Sequence, residues 1–353
     1  MQNPRKNRRR GAKVALPAAL LALLLAVFAA GCGGGDDDDA TGASGGSGGG
    51  SVDIVAYSTP QQAFEEGVIP AFEGTPEGEG SSFSTSFGGS GDQRRAVEAG
   101  QPADFVDFSL EPDMTSLVEA NLVPKDWNAN QHKGIITDSV VVISVRPGNP
   151  EGIKDWSDLV SGDVEIITPN PATSGGAKWN IMAAYGSQIQ QGKSPEEAIK
   201  FVSEIIANTS VLDDSARDSL QTFANGKGDV LIGYENEAIQ AEEEGVDLEY
   251  LIPDDTIQIE NPAAVTTDAQ SPETAKAFLD FIWSDEGQKA FAEYGYRPIT
   301  ESVGAEFKEE FPEVPGLFTI DDLGGWAKVD EEFFGDETGK VTEILRNAGA
   351  PLE

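Results

Sequence analysis

Short apolar runs alternate along this chain with stretches whose apolar residues recur every three or four positions. The first kind, rich in Val, Ile, Phe and Thr, falls at residues 52–56, 82–87, 105–108, 140–145, 164–168, 230–233 and 263–267 and predicts strands. The second falls at 63–72, 92–99, 113–120, 194–206, 218–225, 237–244 and 272–283 and predicts amphipathic helices. The alternation points to an α/β fold of open sheets, in which ligands sit beyond the C-terminal ends of strands. No repeat of fixed period is present. Two proline-rich breaks, 146–150 and 252–262, read as neighbours of places where the chain crosses between lobes.

Three junctions between a strand and a helix carry small hydroxyl or glycine residues. Tyr57-Ser58-Thr59-Pro60 closes the first strand, with Pro60 suited to a first helical turn. Gly88-Gly89-Ser90-Gly91 closes the second. Thr173-Ser174-Gly175-Gly176-Ala177-Lys178-Trp179-Asn180 follows Val164-Glu165-Ile166-Ile167-Thr168 and the turn Pro169-Asn170-Pro171, and opens a helix with Ser174 near its N-cap. Glycine lets the backbone approach a ligand closely, and the free N–H groups of a first turn point at whatever sits there. One such start is commonplace, since most caps only cap. Three that converge form a cage of N–H donors, each helix start presenting roughly half a positive charge, which holds an anion without lysine or arginine.

Asn170-Pro171-x-Thr173-Ser174-Gly175-Gly176-Ala177-Lys178-Trp179-Asn180 closely resembles the signature of sulfate-binding proteins, the ligand-capturing subunits of sulfate/thiosulfate ABC importers. Further segments resemble that family in the same order: Phe87-Gly88-Gly89-Ser90-Gly91, Val145-Arg146-Pro147-Gly148-Asn149-Pro150, Asp155-Trp156-Ser157-Asp158-Leu159 and Gly228-Asp229-Val230-Leu231-Ile232-Gly233-Tyr234-Glu235-Asn236-Glu237-Ala238. Ser284-Asp285-Glu286-Gly287-Gln288, Tyr296-Arg297-Pro298 and Leu317-Phe318-Thr319-Ile320-Asp321-Asp322 extend the match, which covers residues 52 to about 345. The resemblance implies the two-lobed type II periplasmic-binding fold with its ligand cleft between the lobes. Residues 52–137 and 263–353 then form lobe I and 138–262 lobe II. It assigns ligand contacts to Ser90, Ser174, Gly175, Gly176, Ala216 and Tyr234, with one more in Ser58-Thr59. Tyr234 departs from the tryptophan common in the family, replacing an indole donor by a hydroxyl that also accepts. Of Asp213 and Asp214, one is expected to cap or support the site, paired with Arg217.

The ends of the chain add an address. Arg5, Lys6, Arg8, Arg9, Arg10 and Lys13 precede an apolar segment, 14–30, that ends in Ala29-Ala30-Gly31-Cys32. This reads as a signal peptide over 1–31, with Cys32, the only cysteine, placed for acylation and anchorage to the bacterial cell membrane. Residues 33–51, rich in Gly, Ser and Asp, form a flexible tether from 32 to 51 with a coil reach of roughly 25 Å.

Charge narrows the partners. There are 24 Lys and Arg against 61 Asp and Glu; six of the basic residues precede residue 14, which leaves 18 and a balance of −43 for the remainder. Nucleic acid is excluded as a partner at that balance. Such a surface does not steer a dianion inward, but salt screens it within about 8 Å, so dipoles in a closed cleft can prevail. The expected molecule is an extracytoplasmic, lipid-anchored monomer that delivers sulfate or thiosulfate to ABC permease subunits, with no cofactor, no metal and no catalysis. Alternatives are a binder of molybdate or tungstate, an enzyme acting on anionic esters, or a sensory or adhesion protein. The lone His132 sits in a polar stretch and is expected at the surface, so hydrolytic machinery has little to draw on.

Overall fold

The structure is a computed structural model that describes residues 49–352. The signal-like segment, Cys32 and most of the tether lie outside the described residues. β1 (Ser51–Tyr57) leads through Ser58-Thr59-Pro60 into a helix wound as a π-helix over Ala63–Val68 and continued as α1 (Ile69–Glu73). β2 (Ser82–Gly88) runs into α2 (Ser90–Glu98), and β3 (Phe105–Asp107) into α3 (Glu111–Glu119) with Pro112 in its first turn. β1 lies parallel between β2 and β3, the arrangement that helical crossovers impose.

The second half repeats the theme. β4 (Ile135–Val145) is followed by β5 (Ile166–Pro169), α4 (Gly175–Gln190) and α5 (Pro195–Ala207), whose start is fixed by a capping box between Ser194 and Glu197. β6 (Thr209–Asp213), α6 (Ala216–Ala224), β7 (Val230–Tyr234), α7 (Glu235–Glu244), β8 (Glu249–Leu251) and β9 (Asp255–Val265) complete it. α8 (Pro272–Ile282), α9 (Asp285–Glu293), α10 (Glu301–Glu306), β10 (Gly316–Phe318), α11 (Trp326–Val329) and α12 (Lys340–Ala348) close the chain.

The strand order β2-β1-β3-β9-β4-β7-β5-β6 shows how the two halves join. Each half is a parallel trio flanked by one long antiparallel strand. β9 pairs with β3 through residues 263–265 and with β4 through 258–262; β4 in turn pairs with β7 through 141–145. The two 11-residue strands therefore carry the chain from one trio to the other. The proline-rich break expected at 252–262 is mostly strand. Thr256, Ile257 and Ile259 are buried while Gln258 and Glu260 are half-exposed, and Pro262 is tolerated opposite a bulge between Ile135 and Thr137 where a missing N–H breaks no ladder.

Separate cores serve the halves. Phe64, Phe72, Phe105, Phe278 and Phe291 pack edge to face between β1, β9, α8 and α9. Val141, Ile143, Trp179 and Phe201 anchor the other cluster. The tail that the resemblance drew with lobe I sends Phe318, Trp326, Phe333 and Leu345 into this second cluster, with Trp326 against Trp179 at 4.6 Å. His132 is not the exposed residue expected: it is half-buried, its ring stacked on Trp283 at 5.9 Å.

Candidate ligand cleft

Four helices begin at one place. Ser90 opens α2, Gly175 opens α4, Ala216 opens α6, and Tyr234 is the N-cap of α7. Each follows a strand directly or by a short turn, so the sheet's parallel order aims their first turns at a common point beyond the strand ends. All eight positions expected to contact a ligand, Ser58, Thr59, Ser90, Ser174, Gly175, Gly176, Ala216 and Tyr234, line this cleft. Tyr57, Gly88 and Ser109 line it too. Its volume is about 180 Å³ counted with the solvent at its mouth. None of the lining side chains is a lysine, arginine, histidine or carboxylate.

The walls are drawn tight. Gly91 N donates to Thr173 O at 3.0 Å, tying the start of α2 to the loop before α4. A Cβ on Gly175 would lie 2.7 Å from Ser109 Cβ and 2.8 Å from Leu110 Cγ, so only glycine lets the start of α4 come this close. A Cβ on Gly89 would likewise meet the carbonyls of Thr173 and Asp214 at 2.8 and 2.9 Å.

Hydrogen bonding decides which donors are free. Ser174 N donates to Asn170 O at 2.8 Å, and its side chain caps nothing, so the hydroxyl is the group it can offer. Ser90 is the reverse. Its hydroxyl donates to Asp113 Oδ2 at 2.6 Å and accepts from Ser109 N at 3.0 Å, leaving the backbone N–H at the start of α2. The N–H groups of Gly175, Gly176 and Ala216 lie in first turns, where no intrahelical acceptor exists. Tyr234 OH sits 2.6 Å from Ser109 Oγ, and Tyr296 OH donates to Thr59 Oγ1 at 3.4 Å. Ser109 was not among the expected residues. It follows β3 as Ser58 follows β1, a small hydroxyl at a strand end before a helix start, and that repeated placement was the available signal.

Charged groups stand behind the lining. Asp213 accepts from Ser219 and Thr222 hydroxyls at 3.0 and 2.9 Å, so its carboxylate supports α6 instead of facing the cleft. Arg217, expected to pair with it, reaches Thr59 O and Gln240 Oε1 at 3.5 Å. Burial pushes the Asp107 carboxyl well above its usual range, and burial raises Asp113 against the opposing pull of Lys178, Ser90 and Arg94. Burial likewise lifts Glu237 in the first turn of α7 to about 7, with Arg217 lowering it. Desolvation raises the hydroxyls of Tyr57 and Tyr234 well above 10, which keeps them protonated. The cleft is thus a set of neutral donors and helix starts, complementary to a compact anion that brings no proton of its own.

That combination of fold and cleft defines a solute-capturing protein, and comparison with known proteins agrees. The description of bacterial extracellular solute-binding proteins matches residues 52–297. The sulfate-binding protein of Synechococcus elongatus is 42% identical over 294 residues, spanning 81% of this chain and 84% of its own length. The thiosulfate-binding protein of Pseudomonas aeruginosa is 33% identical over 80% of this chain and 88% of its own. The solved sulfate-binding protein SubI from Mycobacterium tuberculosis H37Rv superposes with a TM-score of 0.79 at 43% identity, covering 80% of this chain and 99% of that one. The chain belongs to the bacterial extracellular solute-binding proteins and, among them, to the family of sulfate- and thiosulfate-binding proteins.

Proposed function

We propose that this protein captures sulfate or thiosulfate outside the cytoplasm and delivers it to the membrane subunits of an ABC importer. The observation that carries the reading is a cleft where four helix starts converge and no charged side chain lines the wall. A dianion there is stabilised by dipoles and by donors from Ser58 or Thr59, Ser90, Ser174, Gly175, Gly176, Ala216 and the Tyr234 corner. Monohydrogen phosphate must donate its proton, and a wall of donors leaves that group unpaired at a cost of about 1–3 kcal/mol. Molybdate and tungstate share the tetrahedral charge but are larger. The lining has no general base and no metal-ligand set, which favours holding the anion over transforming it.

In this reading, residues on either side of the long strands form two lobes, 52–137 with the segment after 262, and 138–262. The packing of Phe318, Trp326 and Leu345 in one cluster with Trp179 and Phe201 supports grouping the tail beyond 316 with the second lobe in this reading. Cys32 carries the lipid, and residues 33–51 let a monomeric body reach its permease.

Calorimetric titration with sulfate, thiosulfate, phosphate and molybdate tests the central claim. Saturable binding of sulfate or thiosulfate at one site, with phosphate much weaker, is expected; equal binding of phosphate, or no binding of the sulfur oxyanions, would overturn it. Cys32→Ser should release the protein from membranes or block its maturation, and a wild-type protein found wholly free of lipid would remove the anchor.

A further inference from the structure

The turn that presents Ser174 is built around one side chain. Asn170 is 1% exposed, and each of its polar atoms has a partner. Its N–H donates to Asp213 O at 2.8 Å, which ties the turn to the end of β6. Its carbonyl accepts from Ser174 N at 2.8 Å and from Thr173 N at 3.2 Å. In the side chain, Oδ1 accepts from Ala172 N at 3.0 Å and Nδ2 donates to Pro351 O at 3.1 Å. A backbone N–H only donates and a carbonyl only accepts, so these two partners fix which way the amide faces. Thr173, in the same turn, accepts at its carbonyl from Gly91 N and donates its hydroxyl to Asp214 O at 2.8 Å. Asn170 therefore holds the loop that leads into α4 and touches both the start of α2 and the turn before α6.

Pro351 lies 181 residues further along and is brought there by a directed chain path. α12 ends at Gly349, whose φ of 75° is left-handed. Gly349 N donates to Arg346 O at 3.1 Å and Ala350 N to Leu345 O at 3.0 Å, the pair of bonds that closes a helix and turns the chain off its axis. Leu345 is buried in the cluster that holds Trp179 and Phe201, and Ala350 and Leu352 pack against the same cluster. Pro351 sets a fixed φ between them. The segment after α12 is thus seated on the core with the Pro351 carbonyl presented to the Asn170 amide.

We propose that residues 350–352 strap the anion-binding loop, and that Asn170 is the positioning residue through which Pro351 holds the Ser174 hydroxyl and the first turn of α4 in place. The proposal rests on the oxyanion reading of the cleft and extends it to residues that do not line it. Without the strap, water can satisfy the Asn170 amide, but water fixes neither the amide nor the turn it organises. The coupling is reciprocal: a strap that favours the binding geometry is itself held more firmly when an anion fills the cleft.

Sulfate titration of the wild type, of a chain stopped after Gly349, of Asn170→Asp and of the two changes combined tests this, with amide hydrogen exchange measured on each. Stopping the chain should weaken sulfate about 3- to 10-fold and speed exchange at Ala172, Thr173 and Ser174, while amides of β1 and β7 stay as they were. Asn170→Asp keeps the acceptor for Ala172 N but sets a carboxylate oxygen against the Pro351 carbonyl. It should weaken sulfate about 10-fold or more in the full chain, and at least about threefold less than that in the stopped chain, where the carbonyl is gone. The new charge acts on sulfate alike in both chains and cancels in that comparison. Sulfate should also slow exchange at Ala350 N–H in the wild type and not in Asn170→Asp. Unchanged sulfate affinity in the stopped chain would overturn the strap, as would an Asn170→Asp effect of equal size with and without the segment. Exchange that quickens equally in β1 and β7 would overturn it too, because the segment would then add only stability. If Asn170→Asp does not fold, the affinity and exchange of the stopped chain decide the matter. A wild type that binds no oxyanion would overturn the reading of the cleft, and this proposal with it, before any variant is compared.

Discussion

Ser90 and Ser174 open two helices on the same cleft, and they are wired in opposite senses. Ser174 spends its N–H on Asn170 and leaves its hydroxyl free; Ser90 spends its hydroxyl on Asp113 and leaves its N–H free. The start of α4 is thus a wall of uncommitted donors made by backbone geometry and two glycines. The wall around Ser90, Ser109 and Tyr234 is a network whose side chains are mostly partnered with each other. A residue type in a motif therefore does not fix which of its atoms faces a ligand. The neighbours that consume its other hydrogen-bonding group do.

The comparison breaks most sharply at Gly175. Its Cβ would strike Ser109 and Leu110 below 3.0 Å, at positions held by backbone and packed side chains, so the two walls must separate. Gly175→Ala is expected to weaken sulfate at least about 100-fold, because several donors lose their geometry together. Circular dichroism should show the fold retained, since the strain is relieved by opening the cleft. Affinity within a few-fold of wild type would show that the walls do not need this contact.

The fold was legible where one element carried its own pattern. The β-branched runs at 52–56 and 230–233 are strands, and Ser194-Pro195-Glu196-Glu197 caps its helix as such a box should. β9 was obscured because polar residues, two of them the buried Thr256 and Asn261, interrupt its apolar run and prolines stand at 253 and 262; the pairing with β4 is what makes it a strand. β6, β8 and β10 each offer only two adjacent apolar residues, too few to mark a run. In the cleft, the backbone donors were readable because glycine and small residues at helix starts mark them. Ser109 was missed as a lining residue because the partners that hold it there, Tyr234 and Asn261, lie 125 and 152 residues away. Arg217 and His132 were misassigned for the same reason: their partners, Thr59 with Gln240 and Trp283, are contributed by distant segments.

The two serines give the next effect. Ser174→Ala removes a free hydroxyl and should weaken sulfate roughly 10- to 150-fold, equivalent to about 1.5–3 kcal/mol for a hydrogen bond to a charged partner. Ser90→Ala should change affinity by less than about threefold, because in the proposed reading Ser90 meets the ligand through its N–H, its hydroxyl being engaged by Asp113 and Ser109. Its cost should fall on stability instead: Asp113 is buried and loses a donor, worth about 1–3 kcal/mol in denaturant unfolding. Equal affinity losses for the two variants would erase the distinction between the walls.

Glu237 yields the smallest effect on affinity and the clearest on pH. It lies in the first turn of α7, 4% exposed, with Arg217 and Asp218 of α6 as its charged neighbours. Burial raises its carboxyl from 4.5 to about 7. The folded protein therefore holds this proton where the unfolded chain has released it. The associated stability is fully present below pH 4.5, declines as pH rises through about 7, and is level above; the total is up to about 3 kcal/mol. Glu237→Gln should abolish that share of the slope and be the more stable protein above pH 7. Ionised Glu237 also places a negative charge at a helix start that opens on the cleft, so sulfate affinity should be flat from pH 5 to 6 and fall about two- to threefold by pH 8, an effect reduced by screening. The Gln variant should bind evenly across that range. A wild-type affinity that is constant to pH 8, with a stability slope unchanged in Glu237→Gln, would mean that Arg217 keeps this carboxylate ionised and that the α7 wall carries a permanent charge beside its dipole.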